Sequence, residues 1–211
     1  MERLQVLISI QSRLPFTRHI LFAIPCRQSY NTSRIHLKGE FPMSFKEIPL
    51  TDLQFNPFTK IGSEWMLITA GNEKKFNTMT ASWGGMGVLW GKNVVTTYIR
   101  PQRYTKEFVD ANDTFTLSFY GPQYKEALNI CGTVSGRDCD KAAKAGLTPC
   151  FVDGTAAFNE AELIFVCKKL YEDHMPPENF IAKENDAKWY PNKDYHTMYI
   201  SEIVKVLAKE D

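Results

Sequence analysis

Past Met43 the chain is written in short β-type runs, cut by Gly, Pro or Asn before a long helix can intervene. Residues 65–70 form one such run, closed by Gly71 and Asn72. Residues 76–82 follow, with Phe76, Thr78, Thr80 and Ser82 alternating against Asn77, Met79 and Ala81, so an antiparallel pair is predicted. Residues 94–99 are rich in β-branched side chains and stop at Pro101, which cannot donate to a ladder. Residues 114–120, 163–170 and 195–207 complete the predicted strands. Helices are predicted at 105–112, with Thr105 as its cap, and at 123–130 and 139–145, the last ended by Gly146. A polar, Pro-rich insertion over 175–192 reads as a loop with one short turn. Strands do not alternate with full helices, which disfavours a Rossmann domain and predicts a mainly β, antiparallel small barrel with helical additions.

With 211 residues the chain can bury one sizeable core, and two full-size domains are not expected. Residues 1–42 differ from the rest. They hold six basic side chains (Arg3, Arg13, Arg18, Arg27, Arg34, Lys38) against Glu2 and Glu40, whereas the remainder holds 19 basic and 22 acidic groups. We expect 1–42 to be a disordered leader or an over-extended start with Met43 as initiator, and 43–211 to be a single domain; an Arg-rich transit segment is the other option. A formal net charge of +1 and the lack of a basic stripe in the body argue against nucleic acid as partner. No run reaches the roughly 18 apolar residues of a spanning helix, so no membrane partner is expected. Five cysteines without a CxxC pair suggest neither a disulfide framework nor a zinc ribbon, and fit a reducing, cytoplasmic setting. No metal site is expected.

Three stretches carry chemistry. In the first, Arg100, Pro101, Arg103, Tyr104 and Thr105 stand where a strand ends and a helix begins. Helix starts present free N–H groups, and guanidinium forks match phosphate oxygens, so this is an anion site; a surface turn with paired arginines is the alternative. In the second, Asn77, Thr78, Met79, Thr80, Ala81, Ser82 and Trp83 precede Gly84 and Gly85, the pattern of a wall for a flat, polar-edged ring. A plain amphipathic strand with a Gly turn accounts for that segment as well. The third, Cys131 to Asp138 with Ser135, Gly136 and Arg137, is a glycine-flexed loop between two helices; by itself it is a turn and helix cap, and near the first it would complete the anion pocket. His196 reads as a structural histidine or one facing a substrate. No acid–base set is evident, which suits redox chemistry carried by a cofactor.

Taken in order, residues 77–83, 100–105, 135–138 and the closing 196–203 resemble the flavin reductase-like, FMN-binding split-barrel family, over roughly 44–209 of this chain. The resemblance implies a Greek-key antiparallel split barrel, FMN as cofactor, NADH or NADPH as co-substrate, and a homodimer with flavin at its interface. It implies hydride transfer to flavin, with electrons passed to an acceptor. A flavoredoxin-like carrier reduced by a protein partner and a non-enzymatic ligand-binding barrel are the alternatives. By position, Thr80, Ala81, Ser82 and Trp83 would line the isoalloxazine. Arg100, Arg103, Tyr104 and Thr105, helped by Ser135 and Arg137, would hold the phosphate, and His196 would face the nicotinamide. Ser201 departs from the glycine common in the family's last strand.

Overall fold

The computed structural model describes residues 45–210; the expectation for residues 1–42 lies outside them. The strands are β1 (Phe45–Glu47), β2 (Met66–Asn72), β3 (Lys75–Ala81), β4 (Gly84–Leu89), β5 (Lys92–Ile99), β6 (Thr114–Phe119), β7 (Pro149–Val152), β8 (Thr155–Phe158), β9 (Leu163–His174) and β10 (Thr197–Lys209). The helices are a turn α1 (Pro57–Thr59), then α2 (Tyr104–Ala111), α3 (Lys125–Thr133), α4 (Lys141–Lys144) and α5 (Lys183–Trp189).

One sheet runs β3-β2-β6-β9-β10-β5-β4, with β1 added on β10 and every pair antiparallel. Its two end strands are covalent neighbours, because β3 stops at Ala81 and β4 starts at Gly84. Ser82 and Trp83 alone join them, a link that spans at most about 11 Å. The sheet therefore curls back on itself into a barrel that is split between β3 and β4. That split is where the predicted ring wall ends. β7 and β8 form a separate ribbon.

Alternation along the strands sorts side chains onto two cores. Ile68, Phe115, Leu117, Phe165, Cys167 and Tyr199 share one, together with Phe108 and Val109 of α2. Leu67, Ile164, Val166 and Leu207 point the other way, onto Leu128 and Cys131 of α3, Ala142 of α4 and Phe158 of β8. Both faces of the central strands are covered, which is why β2 reads as an unbroken apolar run rather than as a half-polar strand. Among the described residues no helix is long and apolar enough to cross a membrane.

Several sequence expectations need correction. Thr105 does not cap α2: Arg103 occupies the cap position without a side-chain hydrogen bond, and Thr105 Oγ1 instead accepts from Asn77 Nδ2 at 2.8 Å. The glycines after Trp83 belong to β4, an edge strand, rather than to a turn. The 175–192 insertion contains the helix α5. Ser201 sits where the β9–β10 register slips by a bulge after Ile200, so the departure from glycine coincides with locally irregular backbone.

Candidate functional site

A cleft of about 420 Å3 opens at the start of α2. It gathers six of the predicted residues, Met79, Arg100, Arg103, Tyr104, Thr105 and Ser135, and adds Gln102, Thr133, Val134 and Lys141. The sequence builds it simply. Pro101 ends β5, the chain turns with Arg103 N–H donating to Arg100 O, and α2 begins with no side chain capping its first turn. The first N–H groups of a helix have no acceptor within it, so they are offered to the cleft. The third predicted stretch is pressed against the second because its glycines permit it. A Cβ on Gly136 would stand 2.0 Å from Asn77 Oδ1, and one on Gly132 3.2 Å from Thr80 Cβ.

The cations in and beside this cleft are unequal, Arg137 standing outside its lining. Arg100 is spent: Nη1 pairs with Asp194 Oδ2 at 2.6 Å, Nη2 donates to Trp189 O at 2.8 Å, and the guanidinium lies 5.2 Å from the Tyr190 ring centre. Arg137 pairs with Glu107, donates to Gln102 O at 3.3 Å and stacks 4.5 Å from the centre of Tyr104. Among the described residues the Arg103 guanidinium donates to Gly132 O alone, at 2.6 Å, and burial followed by the Arg100 charge draws it below the usual arginine range. Lys141 is 5% exposed and donates to Cys131 O at 3.0 Å and Val134 O at 3.2 Å. Burial pushes its ammonium down from 10.5 to about 8, and the Arg103 charge works in the same direction. Holding that charge in place costs roughly 3 kcal/mol relative to water. Among the described residues no carboxylate pairs with Arg103 or Lys141. Two unneutralised cations, Lys141 buried and Arg103 half-buried, beside an uncapped helix start fit a doubly charged phosphate.

A second cleft, of about 510 Å3, lies beyond the Arg100–Tyr190 contact. Phe58, Trp83, Met86, Tyr98, Met175 and Tyr190 give it an aromatic and thioether lining, with Ser82 and three glycines between them and, among the described residues, no Lys or Arg. Its outer wall comes from the 175–196 segment. Trp189 meets Trp83 edge-on at 5.1 Å, and Tyr190 Oη is 2.7 Å from His196 Nδ1. His196 is buried, 5.3 Å from Trp83 between ring centres, and burial, then the Arg100 charge, lowers it from 6.5 to about 4. It is therefore neutral at physiological pH.

The remaining predicted residues are divided by the pleat of β3. Asn77 is buried and fixes α2 through Thr105. Thr78 turns into the sheet, on Thr69 Oγ1 and Ile68 O, and Ala81 joins the core; neither lines a cleft. Thr80 Oγ1 donates to Leu128 O of α3. Ser82 and Trp83 reach the aromatic cleft. Pro101 is exposed in the turn and shapes the backbone only. Sequence reasoning missed Gln102, Lys141 and the aromatic wall of Met175, Trp189 and Tyr190. For Lys141 the available signal was its position six residues beyond Ser135, on the helix that follows the glycine loop.

A split antiparallel barrel with an anion cleft and an aromatic cleft meeting at its seam defines a class of small ligand-holding barrels. The chain belongs to the family described as flavin reductase like domain, which matches residues 58–211. No curated protein matches it. Among solved structures it is similar to flavoredoxin from Methanosarcina acetivorans, with 19% identity, a TM-score of 0.56 and coverage of 70% of this chain and 69% of that one. An FMN-binding domain of a flavin reductases-like enzyme from Shewanella baltica OS155 gives 16%, 0.55, 82% and 80%. Flavoredoxin of Desulfovibrio vulgaris (Miyazaki F) gives 22%, 0.53, 70% and 69%. At these identities the likeness establishes the split-barrel fold.

Proposed function

We propose that residues 43–211 bind FMN, its phosphate in the cleft at the start of α2 and its ring along Ser82 and Trp83 toward the aromatic cleft, and that the protein is a flavin reductase using NADH or NADPH. The carrying observation is the unneutralised Arg103 beside the uncapped first turn of α2, within one cleft of four other residues expected to hold a phosphate, Arg100, Tyr104, Thr105 and Ser135. When bound, FMN supplies the redox chemistry: it takes up hydride from a nicotinamide and yields electrons to an acceptor.

The chain's own residues do the rest. Tyr104 and Thr105 direct backbone N–H groups at the phosphate, and Ser135 adds a hydroxyl. Arg137, stacked on Tyr104 and paired with Glu107, walls the outer side. Trp83, with Trp189 edge-on behind it, offers apolar surface and excludes water from the ring's edge. His196 stays neutral, holds Tyr190 through its Nδ1 and steadies Trp83 on the nicotinamide side; it is a positioning residue. Val88, Leu89 and Trp90, exposed at the β4 edge and the turn after it, give a homodimer its apolar contact.

A carrier of electrons from a protein partner is the second reading. Among the described residues the aromatic cleft sets no Lys or Arg against a dinucleotide's diphosphate, and two of the similar structures are flavoredoxins. An anaerobic absorbance trace of the purified protein with FMN and each nicotinamide separates these readings. Bleaching of bound flavin supports the reductase. Bound flavin that neither nicotinamide bleaches replaces it with the carrier, and a protein that binds no FMN removes both.

A further inference from the structure

Arg100 is the cation nearest the Arg-Pro motif, yet its donors face inward. Asp194 and the Trp189 carbonyl take both ends of its fork, and the Tyr190 ring covers its face. Gln102 Nε2 adds a 2.7 Å bond to the same Asp194 oxygen. These partners all belong to, or close, the 175–196 segment, so Arg100 works as the pin that holds that segment against the barrel.

Lys141 is its opposite. It stands at the first position of α4, five per cent exposed, and lines the phosphate cleft. Two of its three N–H donors reach the carbonyls of Cys131 and Val134 at the end of α3. The third has no acceptor among the described residues, and no carboxylate neutralises it. Capping α3 is work that an exposed lysine does at little cost. Burying the charge is expensive, and buried charges are kept where something pairs with them.

Resting on the FMN reading above, we propose that Lys141, with Arg103, is the residue that distinguishes phosphate-bearing from phosphate-free flavin, while Arg100 positions the 175–196 segment and does not read the phosphate. The recognised chemistry is a terminal phosphate monoester dianion on a flavin chain. Lys141 reaches the cleft from below, through a helix that starts only after the glycine loop has folded back on β3. The phosphate thus ties α4 to the start of α2.

The test compares affinities for FMN and riboflavin, which differ by that phosphate alone, using quenching of flavin fluorescence. Lys141→Met is expected to weaken FMN by about 10- to 100-fold and to change riboflavin by less than about 3-fold. Lys141→Gln keeps a donor for the α3 carbonyls and is expected to behave alike, which guards against a packing defect in the first variant. Arg100→Gln is expected to leave the FMN-to-riboflavin ratio within about 3-fold of the parent, while making the chain easier to cleave by protease within 175–192. A merely structural Lys141 would move both flavins together, and that result overturns the proposal. So does a ratio that collapses in Arg100→Gln instead. If the parent binds both flavins equally, or neither, the FMN reading itself has failed, and the outcome is distinct from the two above.

Discussion

The two clefts meet at Arg100 and Tyr190, yet they are built by opposite rules. The anion cleft comes mainly from short, contiguous pieces of chain: a turn at 100–105, a glycine loop at 132–136 and the lysine that follows. Its content is charge and backbone N–H, and its charges are held there at a cost. The aromatic cleft is assembled from segments far apart, with Phe58, Trp83, Tyr98, Met175 and Tyr190 converging from five places. Its content is apolar surface, and the titratable side chain behind it, His196, is kept neutral. A ligand that spans both must carry its anion at one end and a flat, weakly polar body at the other. The difference thus describes the ligand's own polarity.

The sharpest way to break this comparison uses pH on the aromatic side. The folded protein refuses a proton at His196 that the unfolded chain accepts below about pH 6.5, so stability falls as pH drops from 6.5 toward 4. We expect a loss of roughly 3 kcal/mol across that window. Urea unfolding at a series of pH values checks it, and His196→Phe should flatten that part of the slope. An unchanged slope would mean that His196 is not the buried neutral group described.

On the anion side, Arg103→Met should weaken FMN binding by about 1.5–3 kcal/mol, the range for a charge-assisted hydrogen bond, with riboflavin spared. Fluorescence titration with both flavins reads this directly. Raising the pH sharpens the same point. Lys141 loses its ammonium above about 8 in the free protein, whereas a phosphate dianion favours the charged form. FMN affinity should therefore fall by about 5-fold over the pH unit above 8, and riboflavin affinity should not follow. The smallest effect belongs to Trp83→Ala. Loss of one aromatic contact costs about 0.5–1.5 kcal/mol, and it should weaken FMN and riboflavin alike because it touches the ring and not the tail.

What the sequence revealed follows the same division. β2, β3, β5, β6, β9 and β10 were legible from period-2 or β-branched runs, because their side chains answer to a sheet that buries both faces. The anion cleft was legible because residues 100–105 are contiguous and their chemistry is local. Lys141 was not, since a lysine between Asp140 and Ala142 reads as solvent-facing charge until α3 packs its end over it. Nor was β4, whose glycines signal a turn although the hairpin with β5 makes them an edge strand. β7 and β8, four residues each, are too short for a periodic signal. The aromatic wall could not be found from sequence, because Tyr190 and Met175 acquire their meaning only when Arg100 draws the 175–196 segment onto the barrel. Arg100 itself shows how far a motif carries. It lies in the cleft the motif predicted, but Asp194, 94 residues away, takes its charge.

The central claim is that the cation-lined cleft at the start of α2 receives a phosphate. Equilibrium titration of the unmodified protein with FMN and with riboflavin, at neutral pH and low salt, tests it most directly. The structure predicts that FMN binds about 100-fold more tightly or better, the combined effect of Arg103, Lys141 and the helix start. Equal affinity for the two flavins would contradict it.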